Sequence, residues 1–209
     1  MATKAAVAEG ARTLARRDPA MKRMLREHGV PELHRGRRTR SHFAELARMI
    51  CYQQLAGRAA AAIHGRFEAL FDGSPTPEAV LAIPFESLRG AGLSNAKALS
   101  IVDLADKVEQ GLVELGRVAR LSDEKVVGEL ILVRGIGEWT AHMFLMFQLG
   151  RLDVWPTGDF GVRAGFARMY NLDPTPTPKQ LEAEGAPFRP YRSLVAWWCW
   201  RAADTVTPD

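Results

Sequence analysis

Cysteine is nearly missing from this chain: of its 209 residues only Cys51 and Cys199 are cysteines. Two thiols so far apart in sequence exclude a disulfide framework and the paired spacing of a zinc site. They also exclude a four-cysteine iron–sulfur cluster held by one chain. Each lies among apolar residues, so both are expected in packing roles. The histidines, His28, His34, His42, His64 and His142, show no paired ligand spacing, and no zinc is expected from them. Long apolar runs are lacking as well. None approaches the roughly 20 residues that span a bilayer, and the start of the chain has no apolar signal-peptide region. A cytoplasmic protein with no membrane partner is therefore expected. Strand patterns are scarce: β-branched residues rarely alternate with polar ones over strand lengths, which speaks against sheet folds.

What is present reads as helix. Ala, Leu, Arg and Glu dominate the periodic segments. Helices are expected over about 4–17 and 19–28, then from an N-cap at Ser41 to Phe71 with a break near Gly57. Short helices fit 77–82 and 85–90, and Ser94 caps another that runs to about Gln110. Ser122, followed by Asp123 and Glu124, starts a helix that ends near Val133. The next helix carries Trp139, Met143, Phe144 and Phe147 at the spacing of one buried stripe. Two more follow, over about 159–170 and 189–203, the second holding Trp197, Trp198 and Trp200. Between them the run Asp173-Pro174-Thr175-Pro176-Thr177-Pro178 reads as an extended, stiff loop. The basic run from His34 to Arg40 reads as a solvated loop between helices.

The expectation is an all-α, two-lobed fold with a cleft between the lobes. A middle lobe spans residues 40–150, with a helical hairpin at about 123–149, and residues 1–39 join 151–209 in the second lobe. The formal charge of +4 suits a polyanionic partner without singling one out.

One break between helices has more content than a turn. Arg134-Gly135-Ile136-Gly137 separates two apolar helical segments. Glycine relieves the steric penalty of positive φ and lets a bulky backbone come close. Backbone N–H groups at the start of the following helix point outward, towards any phosphate placed there. Such a contact is indifferent to base sequence, because the backbone makes it. Taken alone, the motif reads first as an ordinary helical hairpin.

Its surroundings narrow the reading. Twenty residues after Trp139 comes Asp159, in Val154-Trp155-Pro156-Thr157-Gly158-Asp159-Phe160-Gly161-Val162-Arg163. This combination resembles the helix-hairpin-helix superfamily of base-excision DNA glycosylases, and within it the 3-methyladenine DNA glycosylase II branch. Three further stretches agree: Ile50-Cys51-Tyr52-Gln53-Gln54-Leu55, Gly92-Leu93-Ser94-Asn95-Ala96-Lys97, and Pro190-Tyr191-Arg192-Ser193. The resemblance covers about residues 40–205. It implies a monomeric, monofunctional enzyme that acts on damaged double-stranded DNA, flips out alkylated purines and hydrolyses their N-glycosidic bond. No cofactor is required. Lyase branches carry a lysine where this chain has Trp139, so no lyase activity is expected. Gly158 departs from the pattern, since relatives often have a second acidic residue there.

The resemblance also assigns roles. Asp159 is the catalytic carboxylate, set to stabilise positive charge on the sugar as the base leaves; N-capping the next helix is its other reading. Trp139 and Met143, one helical turn apart, line the base pocket with Phe160 and Trp200, where aromatic faces favour cationic methylated purines. Packing in the core is the other reading for these side chains. Gly135, Gly137 and Arg134 hold phosphate. Gln53, Gln54 and Leu55 meet DNA, with Leu55 or Gln54 filling the gap left by the flipped base; Leu55 reads equally as a core residue. The carbonyls of Ile131, Val133 and Ile136 are the candidate ligands of a structural monovalent cation at the hairpin. Three rivals stand beside it: a DNA-damage-binding protein with weak or no catalysis, a monofunctional glycosylase for another damaged base, and a helical protein–protein adaptor, which would leave the hairpin glycines and basic turn unexplained.

Overall fold

The computed structural model describes residues 3–33 and 40–204. Within these residues the chain is helical with no β-strand, as the sequence patterns predict. In chain order the helices are α1 (Lys4–Arg17), α2 (Pro19–His28), α3 (His42–Tyr52), α4 (Gly57–Glu68), α5 (Pro77–Ala82) and α6 (Phe85–Gly90). Then come α7 (Asn95–Glu109), α8 (Asp123–Leu130), α9 (Glu138–Met143), α10 (Phe160–Tyr170), α11 (Pro178–Glu184) and α12 (Arg192–Ala202). The basic run beginning at His34 lies outside the described residues except for Arg40, which is exposed and pairs with Glu68 at 3.3 Å.

Capping side chains set most helix starts. Ser41, Ser94, Ser122 and Thr177 each accept a backbone N–H from the first turn of the helix they precede. Each such cap stabilises by about 1 kcal/mol. The structure also departs from the expected boundaries. The break after α3 lies at residues 53–56, where Gln54 takes a left-handed φ of 55°, and Gly57 opens α4 rather than interrupting a helix. Helix α8 stops at Leu130, before Val133. Only part of the Thr-Pro run is a loop: Thr177 and Gln180 form a reciprocal capping box, with Pro178 at the first helical position, and so start α11. Beyond α9 the chain widens into a π-helical turn over Phe144–Gln148, with the Leu149 N–H donating to the Phe144 carbonyl.

The chain divides into two compact units. One comprises residues 38–141, the other residues 1–37 together with 142–209. The division comes at 141, inside α9, where 150 was expected; residues 143–150 are nearly all buried, a core segment and not a linker. In the first unit α7 is the central element, packing on α3, α5 and α6 through Ala98, Ile101, Leu104 and Ala105. Burying one such leucine or isoleucine contributes roughly 1.5–3 kcal/mol. In the other unit α12 is buried all round from Arg192 to Trp200 and packs on α10, α2 and α1. A helix apolar on every face belongs at the centre of its unit. Among the described residues no helix is long and apolar enough to cross a membrane.

Candidate active site and nucleic-acid interface

The hairpin turn is built from α7 outward. Three side chains of α7 spaced three residues apart, Lys97, Ser100 and Asp103, lie on one helical face. Lys97 Nζ donates to the Cys51 carbonyl at the end of α3, at 2.8 Å. Asp103 Oδ2 accepts the Arg134 backbone N–H at 2.7 Å. Its Oδ1 takes Lys107 Nζ at 2.6 Å. Burial pushes the Asp103 carboxyl up, but Lys107 and the Arg134 N–H outweigh it and hold the group below the usual carboxylate range. Ser100 sits beneath Gly135, whose φ is 76°; a Cβ there would come within 2.6 Å of Ser100 Oγ. Glycine is thus required at this position for both conformation and space. Gly137 faces open space, which leaves room for another backbone to approach. The Arg134 side chain is exposed beside it.

Gln53 joins this turn to the loop after α3. Its side-chain amide donates to the Gly135 carbonyl at 2.9 Å. Gln54 and Leu55 follow on the same loop, and Leu55 is 40% exposed, so it is no core residue. The sequence placed Gln53 among the DNA contacts; the structure gives it an internal partner as well.

Asp159 belongs to the other unit. Its side chain caps α10, with Oδ1 accepting the Val162 N–H at 2.8 Å. The indole Nε1–H of Trp200 donates to the same oxygen at 3.1 Å. Capping and a proposed catalytic role therefore coexist in one side chain. The loop that carries it is fixed from α12. Arg192 donates to Asp153 Oδ1 and to the Asp153 carbonyl, both at 2.9 Å, and Arg189 reaches Asp153 Oδ2 at 2.9 Å. Ser193 accepts the Val154 N–H and donates to the Arg151 carbonyl, each at 2.9 Å. Breaking a largely buried pair such as Arg192–Asp153 from one side costs about 3–5 kcal/mol. One helix thus grips the loop at its N-terminal end and the carboxylate two turns further on. The Pro190-Tyr191-Arg192-Ser193 stretch has this as its structural work.

The remaining candidates fare differently. Trp139 is 45% exposed and stands off the buried stripe, because it occupies the first turn where α9 emerges from the hairpin. Met143 is buried in the core. Trp200 is 2% exposed and stacks on Phe147, with ring centroids 6.2 Å apart. It is a support for Asp159 rather than an open pocket wall. Phe160 is 67% exposed beside Asp159, and the Arg163 guanidinium lies over its ring at 5.5 Å. Among the candidate cation ligands, the Val133 carbonyl already accepts the Ile136 N–H at 3.1 Å. Both cysteines are buried; burial pushes the Cys51 thiol up to about 12 and raises Cys199 as well, so neither is a reactive thiolate at neutral pH. Sequence reading missed Ser100, Asp103 and Arg192 as holders of the site. The three-residue spacing along α7 was the available signal for the first two.

Residues 47–190 match the family described as HhH-GPD superfamily base excision DNA repair protein, and the chain belongs to that family. It is 32% identical over 189 residues to DNA-3-methyladenine glycosylase 1 of Schizosaccharomyces pombe, covering 89% of this chain and 83% of the relative. Among solved structures it is similar to the Schizosaccharomyces pombe 3-methyladenine DNA glycosylase in complex with abasic DNA. The TM-score is 0.78 at 31% identity, over 92% of this chain and 95% of the other. It is also similar to a Bacillus halodurans DNA-3-methyladenine glycosidase, with a TM-score of 0.82 at 32% identity, over 94% and 89% of the two chains.

Proposed function

We propose that this chain is a monofunctional DNA glycosylase that releases alkylated purines of the 3-methyladenine and 7-methylguanine type from duplex DNA. The observation that carries the reading is the Asp159 carboxylate, oriented by the Val162 N–H and the Trp200 indole at the start of α10. The N-terminus of an 11-residue helix favours negative charge there. A damaged base inside a duplex is out of reach, so the nucleotide is extruded at a cost of a few kcal/mol. Leu55, exposed on its loop, fills the gap. As the glycosidic bond breaks, positive charge grows on the sugar, and a fixed carboxylate stabilises it with little reorganisation. The same carboxylate orients the attacking water. The hairpin turn, with Gly135, Gly137 and Arg134, holds backbone phosphate. Ile131, Val133 and Ile136 offer neutral carbonyl oxygens, a donor set that fits a structural monovalent cation. Val133 keeps a second lone pair for it, and the ion would add positive charge towards phosphate. The reading needs one chain in the cytoplasm, with no membrane and no catalytic cofactor.

Incubation with randomly methylated DNA, followed by chromatography of the released bases, tests this directly. Free 3-methyladenine or 7-methylguanine is the expected product. Binding without release would leave only a damage-binding protein, and release of other bases alone would assign a different lesion.

Trp139 bears on selectivity. An electron-rich ring attracts a cationic base by about 0.5–2 kcal/mol beyond ordinary stacking. Trp139→Ala is therefore expected to slow excision of 7-methylguanine roughly fivefold to tenfold more than excision of neutral hypoxanthine. Parallel single-turnover rates on the two substrates measure this. An equal loss on both would leave Trp139 a stacking surface without charge preference.

A further inference from the structure

A carboxylate beside a phosphate-holding turn calls for an explanation. Asp103 lies directly behind the hairpin, where its charge repels the polyanion that the turn is read to hold. Lys107 neutralises one oxygen, and the other is spent on the Arg134 backbone N–H. The carboxylate therefore trades an unfavourable charge for a fixed turn. Gln53 holds the same turn from the opposite end, through the Gly135 carbonyl, and Ser100 fills the floor beneath Gly135. Gln53 is also the residue that leads into Gln54 and Leu55, and Lys97 fastens the end of α3 just before it. Two segments far apart in sequence are thereby tied to each other and to α7.

We propose that Gln53, Ser100 and Asp103 are positioning residues that lock the 53–56 loop and the hairpin turn into one rigid DNA-holding platform. The inference rests on the glycosylase reading above and adds to it how the phosphate anchor and the gap-filling residue keep a fixed spacing. None of the three touches the reacting bond. Their loss should appear in DNA affinity and leave the chemical step alone.

A purely electrostatic Asp103 and a positioning Asp103 predict opposite signs. If Asp103 acts only as a charge, Asp103→Ala removes repulsion and DNA binds more tightly. If it positions the turn, binding weakens. The full-length protein is titrated against a duplex carrying a tetrahydrofuran abasic analogue, with melting curves and single-turnover excision at saturating enzyme alongside. Asp103→Ala and Gln53→Ala are each expected to raise Kd about fivefold to tenfold, the scale of one net hydrogen bond. For Asp103→Ala the saturated excision rate stays at the parent value, and melting falls by only about 2–4 °C, the cost of one hydrogen bond in a chain of this size. Asp103→Asn keeps an acceptor for the Arg134 N–H and binds at least as well as the parent; Gln53→Glu loses the donor and behaves like Gln53→Ala. Parent-like or tighter binding by Asp103→Ala, or unchanged binding by Gln53→Ala, overturns the proposal. Should Asp103→Ala melt early, affinity is read well below its melting point, and rescue by Asp103→Asn decides: a parent-like Kd for Asp103→Ala there overturns the proposal. A parent protein with no salt-sensitive DNA binding overturns the glycosylase reading and this inference together. Variants that match a binding-competent parent overturn the inference only.

Discussion

Asp159→Asn is expected to fold, to hold DNA like the parent, and to lose single-turnover base release by about 10²–10³, the loss typical of removing one electrostatic stabiliser. The geometry separates the two roles of this side chain. As a cap, Asp159 needs one oxygen to accept the Val162 N–H and the Trp200 indole N–H. Asparagine supplies such an oxygen and caps helices about as well as aspartate. Size and fold are thus conserved, and what disappears is the negative charge. That charge is proposed to act on positive charge which exists only while the bond breaks. Its removal therefore lowers the rate of the bound complex and leaves affinity for an uncleaved analogue unchanged. The check is a single-turnover time course on 7-methylguanine DNA beside a melting curve. A variant that melts like the parent and also excises like the parent would move the catalytic assignment away from Asp159.

The helices were legible where the signals are local. Serine and threonine caps, the 3.6-residue period and the prolines at first helical positions placed α1, α2, α5, α6 and α7 within a residue or so. Helix α11 carried an equally local signal, the Thr177–Gln180 capping box, but it lay inside a proline-rich run that reads first as loop. Trp139 fits the buried period by spacing alone; exposure at the hairpin end is decided by where α9 begins. The site was legible only in part, for a physical reason. Asp159 and the hairpin glycines sit in short recognisable stretches. The bonds that hold them do not: Trp200 to Asp159, Arg192 to Asp153, Asp103 to Arg134 and Gln53 to Gly135 each join residues more than thirty positions apart. No local period carries such pairings. Burial likewise reassigns Trp200 and Met143, since an aromatic or sulfur side chain at helical spacing reads the same as pocket or as core.

The contact between α10 and α12 yields the second large effect. Gly165 faces the backbone of α12, and a Cβ at that position would lie 1.8 Å from the Cys199 carbonyl oxygen and 2.4 Å from its carbon. The neighbour is main chain at the centre of the unit, not the end of a flexible side chain, so nothing yields cheaply. Gly165→Ala must push the two helices apart. Overpacking a core usually costs about 1–3 kcal/mol, and a clash with backbone belongs at or beyond the upper end. For a chain of this size about 3 kcal/mol lowers Tm by roughly 6–12 °C. This runs against intrinsic preference, because alanine favours a helix over glycine by about 1 kcal/mol. Gly158→Ala is the matched control: it sits in the same region, with an ordinary φ and open space around it, and is expected to melt within about 0.5 kcal/mol of the parent. The damage should reach the chemistry as well. Asp159 starts α10, and Trp200 is the residue after Cys199, so widening this crossing lengthens the indole–carboxylate bond at 3.1 Å. Folded Gly165→Ala, assayed well below its melting point, is expected to excise more slowly than Gly158→Ala. Parent-like melting of Gly165→Ala would mean that the helices can part at no cost, and that α12 does not fix the position of Asp159.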